Sequence, residues 1–212
     1  MVRACCGHTD GGTAKDGSPF FVERLGAADL AGFAREPEVL DLMYDSYVAY
    51  LEGIFRTVRA CAAATGTFSR CLIVVDAAEL SMSTMRHIGI IKAVSKIGPP
   101  NFPEGSSKVL IVNAPMIFSA MWTIVSPLLP KRTRAKVSIS SSRWTSTTLL
   151  ELIDAKELPQ FLGGERSTAD PHVARTELVP EGVKIADSEA VGAAAATSPP
   201  LKAKKIEKVT MM

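Results

Sequence analysis

Two short apolar runs constrain this chain more than any other feature: Cys71-Leu72-Ile73-Val74-Val75, closed by Asp76, and Val109-Leu110-Ile111-Val112, closed by Asn113. Continuous β-branched runs of this kind suit strands buried on both faces of a parallel sheet. Between them Met85, Ile88, Ile91, Val94 and Ile97 mark a helical stripe, with Ser81 or Ser83 as N-cap candidates and Gly98-Pro99-Pro100 as its stop. Strand, helix, strand implies parallel neighbours joined by a right-handed crossover, so the expected class is α/β.

The rest of the chain extends this frame. Pro19 to Arg24 reads as a short strand ended by Gly26. From Val39 to Cys61 apolar positions recur at three-and-four spacing, including Tyr47, Tyr50 and Ile54, which predicts a helix; Gly66 is its stop. Val137-Ser138-Ile139-Ser140 alternates, predicting a strand with one apolar and one polar face. A helix is expected from about Thr147 to Asp154. Residues 1–18, rich in Gly, Thr and Asp, read as a flexible leader, and residues 165–212, with an alanine run and Pro199-Pro200, as a disordered tail. One domain over 19–164 is expected between them.

Composition narrows the function classes. Lys and Arg total 24 against 22 Asp and Glu, a balance that gives no support to a nucleic-acid partner. The four cysteines, Cys5, Cys6, Cys61 and Cys71, form no C-x-x-C pair or dense disulfide pattern, which suits a reducing compartment. No Lys/Arg-led apolar run opens the chain, and no apolar stretch reaches the roughly 20 residues that span a bilayer. A cytoplasmic protein is expected.

Strand C-termini in parallel sheets are the usual ligand positions, which draws attention to Asp76, Ser81, Ser83 and Asn113. Catalytic motifs are missing there: no G-x-G-x-x-G, P-loop, G-x-S-x-G or H-E-x-x-H occurs, and His8, His87 and His172 are scattered. No enzyme, metal site or cofactor is expected. A solitary helical histidine such as His87 is more often a surface residue than a base. Pro115 to Val125 is unusual in being apolar on nearly every helical face, so it is either a core helix or the wall of an apolar cavity. Its two methionines and tryptophan, and Pro127 and Pro130 beyond it, suit a movable wall. Next comes Lys131-Arg132-Thr133-Arg134-Ala135-Lys136, a run whose usual fate is a solvated turn. Beside an apolar helix such cations can meet anionic headgroups, at about 1 kcal/mol each near a membrane surface.

The order of these segments resembles the CRAL-TRIO lipid-binding domain, nearest to the phosphatidylinositol/phosphatidylcholine transfer type. The matching residues are Asp16-Gly17-Ser18-Pro19, Arg24-Leu25-Gly26, Ile73-Val74-Val75-Asp76, Ile97-Gly98 with Asn101-Phe102-Pro103-Glu104, Ile111-Val112-Asn113-Ala114-Pro115, Phe118, Trp122, Pro127-Leu128-Leu129, Thr133 with Lys136, and Leu158-Pro159 with Gly163-Gly164. Each is weak alone; the conjunction over residues 15–164 is specific.

The resemblance implies a mixed, largely parallel sheet flooring an apolar lipid cavity, flanked by helices, with a gate helix over Met116, Ile117, Phe118, Met121, Trp122 and Val125. It implies headgroup contacts at Glu104, Thr133 and Lys136, and more weakly at Ser81 and Ser83. The family's helical segment before the first strand is expected to be absent, because only 18 residues precede Pro19. The serine-rich stretch Ser140-Ser141-Ser142 departs from the glycine-containing turn usual there.

The expected function is that of a monomer binding one phospholipid, phosphatidylinositol or phosphatidylcholine, and exchanging it at membranes it touches transiently. A lipid-sensing adaptor recruiting lipid-metabolism or trafficking factors is the alternative from another class, with Lys202, Lys204, Lys205 and Lys208 as a recruiting patch. A carrier of another small hydrophobic ligand is a third.

Overall fold

The two apolar runs form neighbouring parallel strands. The computed structural model describes residues 8–67, 69–102 and 104–167. Along the chain run β1 (His8–Thr13), β2 (Pro19–Arg24), α1 (Leu30–Arg35), α2 (Pro37–Thr65), β3 (Cys71–Asp76), α3 (Met82–Arg86), α4 (Ile88–Asn101), β4 (Ser106–Val112), α5 (Phe118–Val125), α6 (Lys131–Ala135), β5 (Val137–Ile139) and α7 (Thr145–Leu152). The strands lie in the order β1-β2-β3-β4-β5, with β1 antiparallel to β2 and the other pairs parallel. This is the mixed, largely parallel sheet that the motif order implied. The described residues all belong to one compact unit, residues 1–180; a second unit, 181–212, lies outside the described residues.

The two faces of the sheet are packed differently. On one, Phe20, Val22, Leu72, Val74, Leu110 and Val112 meet Leu149, Ile153, Leu158 and Leu162 in a core where each side chain is at most 4% exposed. Full burial of such a side chain contributes about 1.5–3 kcal/mol. On the other, α2 covers β2 and the start of β3 through Tyr50, Ile54 and Val58 against Phe21 and Cys71. Farther along, α1, α4 and α5 pack over Val75, Val109 and Ile111. Ile73, Val75 and Val109 are only half-buried. The expectation of strands buried on both faces is thus corrected: this second face is roofed, but a cavity lies beneath the roof.

Four further expectations change. The presumed leader contains β1, which pairs with β2 from His8 to Thr13. Its glycines mimic loop composition because the strands approach closely: a Cβ on Gly11 would stand 2.2 Å from the Phe20 carbonyl oxygen. The stripe from 82 to 101 is two helices broken at His87, not one. Gly98-Pro99-Pro100 does not stop α4, which ends at Asn101. Proline tolerates helical φ, and the turn beyond the prolines is held by Phe102 N–H donating to Gly98 O and by the Asn101 side chain donating to Ile97 O, both at 2.8 Å. Finally, the domain continues past 164: Glu165 N–H donates to Ala155 O at 2.7 Å and Arg166 Nη1 to Gly11 O at 2.8 Å. The remaining stretch of the expected tail, 168–212, lies outside the described residues.

Other expectations hold. Strand β2 spans the run from Pro19 to Arg24, and α2 ends at Gly66, whose φ is +67°. Helix α7 starts two residues earlier than expected. Strand β5 is present, with Ile139 on its expected apolar face nevertheless 45% exposed. Among the described residues no helix is long and apolar enough to cross a membrane.

Candidate functional site

The roofed face of the sheet holds a cavity of about 310 Å³. Its floor is Ile73, Val75, Val109, Ile111 and Val137, and its walls come from α1, α2, α4 and α5. The volume is near the lower end of small-molecule pockets, roughly 300–1,000 Å³.

Helix α5 is one such wall. Phe118, Met121, Trp122 and Val125 line the cavity, while Ser119, Ala120 and Thr123 face outward. The helix is therefore amphipathic in position though apolar in composition, because small residues occupy its outer side. Ile117 is half-buried just before the helix. Met116 lies outside the cavity and is 96% exposed.

Next to the cavity, sharing Leu51, Ile73, Gly98, Pro99 and Thr133 with it, is a second cleft of about 290 Å³ that carries charge. Glu104 stands at its edge. Lys136 Nζ donates to Glu104 Oε2 at 3.2 Å and to Ser106 O at 2.8 Å. Arg70 and Arg132 approach the same carboxylate at 3.6 and 3.5 Å. The hydrogen bond and charge of Lys136, then the two arginines, hold the Glu104 carboxyl below its ordinary value. Three cations around one carboxylate leave a net positive cleft suited to an anion.

The backbone brings these groups together at some cost. Glu104 has φ +60°, a left-handed conformation that disfavours a side chain by about 1–3 kcal/mol. Gly105 follows because a Cβ there would stand 2.4 Å from the Phe55 ring, which also packs against Phe102 at 5.2 Å between centroids. The peptide is thereby pressed onto α2, and Glu104 is aimed at the end of α6.

Of the residues singled out in the sequence, Glu104 and Lys136 are in contact, and Thr133 lines both cavity and cleft. Ser81 and Ser83 do not join them. Both are exposed, and Ser81 forms a capping box with Thr84, its N–H donating to Thr84 Oγ1 at 3.2 Å. Asp76 and Asn113 tie the strand ends together: Asn113 Nδ2 donates to Asp76 Oδ1 at 2.9 Å, and Thr145 Oγ1 accepts from Asn113 N–H at 3.0 Å. Among the described residues no group of His, Cys, Asp and Glu is arranged to hold a metal.

Sequence reasoning missed Arg70 and Glu23. Arg70 precedes β3 and joins Glu104 only through the tertiary fold. Glu23 carries the only formal charge among the described residues lining the cavity. Burial pushes its carboxyl up from 4.5 to about 7, opposed by a hydrogen bond from Tyr50. A charged residue on the Phe21 face of an otherwise apolar strand was the signal that could have revealed it.

The CRAL/TRIO domain description matches residues 11–164. The chain is 30% identical over 174 residues to a CRAL-TRIO domain-containing protein, T23G5.2, of Caenorhabditis elegans, covering 78% of this chain and 24% of that protein. It is 29% identical over 163 residues to phosphatidylinositol/phosphatidylcholine transfer protein SFH12 of Arabidopsis thaliana, covering 75% and 30%. The chain thus spans about a quarter to a third of the length of these relatives. Its fold is similar to the crystal structure of Sfh5, with TM-score 0.61, 15% identity, and coverage of 93% of this chain and 67% of that one. With the match running from β1 through the turn after α7, the chain belongs to the CRAL/TRIO domain family.

Proposed function

We propose that the chain binds one phospholipid, phosphatidylinositol by preference, and exchanges it between membranes without covalent chemistry. The observation that carries this reading is the junction of an apolar cavity with a cationic cleft, through shared residues that include Thr133. Acyl chains occupy the cavity. The inositol phosphate lies in the cleft, where the Thr133 hydroxyl and Lys136 ammonium donate to phosphate and the Glu104 carboxylate accepts from inositol hydroxyls. Ser81 and Ser83 are left out of this reading because they line neither space. The transfer-protein names of relatives such as SFH12 support it.

Lys136→Ala is expected to lower phosphatidylinositol binding about tenfold or more, since hydrogen bonds to charged groups are worth about 1.5–3 kcal/mol. Mass spectrometry of lipid bound to the purified protein, with vesicle-to-vesicle transfer, is the check. A wild-type protein without phospholipid, or a variant loaded like wild type, would overturn the assignment. The cavity volume favours one other reading, carriage of a smaller hydrophobic ligand, for which Lys136→Ala would leave occupancy unchanged.

Loading requires contact with a bilayer. Met116, at the foot of α5, presents apolar surface to solvent beside the wall that moves. In this reading a cytoplasmic monomer inserts Met116 transiently into the membrane. Met116→Asp is expected to weaken sedimentation with phospholipid vesicles several-fold while leaving the melting temperature unchanged; unaltered sedimentation would exclude Met116 from the contact.

A further inference from the structure

A carboxyl inside an apolar cavity demands an explanation, because burying such a group without partners is costly. Glu23 pairs with Val75 in the β2–β3 register and shares the face that floors the cavity. Tyr47 of α2 lines the same cavity, and Tyr50, 2% exposed, lies beside the Glu23 carboxyl and favours its ionised form. The two rings lie 6.2 Å apart. Together they form a polar spot on an otherwise apolar wall. Glu23 and Tyr47 line the cavity and not the cleft that holds Glu104 and Lys136, so this spot is separate from the Lys136 cleft.

A carboxylate has about four acceptor positions, more than the one neighbouring Tyr50 hydroxyl can fill. A wholly apolar ligand filling the cavity would drive off the water that hydrates the rest. A ligand carrying a hydroxyl at this depth would replace that water with a hydrogen bond. We propose that Glu23, backed by Tyr50 and flanked by Tyr47, is a recognition point for a hydroxyl on an otherwise apolar ligand, selecting hydroxylated lipids over hydrocarbons of equal size. This goes beyond the phospholipid reading and does not depend on the cationic cleft.

The surroundings allow the carboxyl to be tested by pH. The titratable groups facing it are Tyr47 and Tyr50 from α2 and Cys71 from β3. Burial raises Tyr47 well above its ordinary value and Cys71 to about 12, so neither changes charge between pH 6 and 8. Arg24, next along β2, pairs instead with Asp76 and Glu79. The other cavity-lining side chains of α1, α4 and α5 carry no charge. Glu23, raised to about 7 by burial, is neutral at the lower end of this window and ionised at the upper. Hydrocarbon against an ionised carboxylate is disfavoured, whereas an alcohol donates to it, so preference for the alcohol grows as pH rises.

Trp122 lines the cavity and reports its contents, while Trp144 is 56% exposed and can be replaced. In a Trp144→Phe background, quenching of Trp122 by a dibrominated octadecanol and by the matching dibrominated octadecane gives both affinities. The alcohol is expected to bind about tenfold tighter at pH 6, the equivalent of 1.4 kcal/mol, and tighter still at pH 8. Glu23→Leu should bring the ratio near one; Glu23→Gln should keep a preference but make it independent of pH. Equal affinities in the parent, a ratio that ignores pH there, or one unchanged in Glu23→Leu would overturn the proposal. Should Glu23→Leu fail to fold, the parent and Glu23→Gln pH series decide it alone. Because no phospholipid enters this assay, failure of the headgroup assignment leaves it readable.

Discussion

Val109→Trp is expected to abolish lipid loading. Val109 lies in β4, pairs with Ile73 on one side and Val137 on the other, and its half-buried side chain forms the middle of the cavity floor. An indole there fills the cavity floor, while Val109 lines only the cavity and not the cleft that holds Glu104 and Lys136. Occupancy by mass spectrometry and vesicle transfer should both fall at least tenfold. Stability should change little, because the added ring fills a void; if it does not fit, overpacking costs about 1–3 kcal/mol. A folded variant that still carries lipid would mean that the ligand lies elsewhere.

The other large effect concerns the opposite face. Phe20 is 0% exposed and lies in the core beneath α7. A Cβ on Gly12 would stand 2.7 Å from its ring, and the Arg166 guanidinium lies 5.9 Å from the ring centre. Phe20→Ala leaves a hole that neither β1 nor the C-terminal turn can fill without losing its own contacts. The expected loss is about 3–5 kcal/mol, to be read from urea denaturation. Domains of this kind are stable by roughly 5–15 kcal/mol, so much of the margin disappears. A loss below about 1 kcal/mol would show that this face is not the rigid side of the sheet.

What could be read from the sequence was what is local. Strands β2 and β3 coincide with their apolar runs because β-branched residues bounded by Gly, Asp or Arg leave little choice. Helix α2 follows its stripe for the same reason. Strand β1 was hidden because Gly11 and Gly12 serve a close approach to Phe20, which a composition rule reads as a loop. The cavity was expected from the resemblance, but not which strand residues floor it: Ile73 and Val75 have the chemistry of core residues, and only the arrangement of the roof leaves them half-buried. Glu104, Thr133 and Lys136 were singled out by family resemblance rather than by spacing, since Lys136 lies 32 positions beyond Glu104 and only folding joins them. Arg70 belongs to no such motif and was therefore missed.

The ties between the two ends of the described stretch bear on how the chain is made. Arg166 Nη1 reaches the Gly11 carbonyl across 155 positions, Lys15 N–H donates to Leu152 O at 2.9 Å, and Thr13 N–H to Glu157 Oε2 at 3.4 Å. Synthesis proceeds from the N-terminus at about 5–20 residues per second. Within this stretch β1 is therefore made about 150 residues before Arg166, which ties its outer side. During that interval β1 is held by β2, and the carbonyl of Gly11 waits for its donor. A ribosome stalled before Arg166 holds a sheet whose outer strand is tied on one side only.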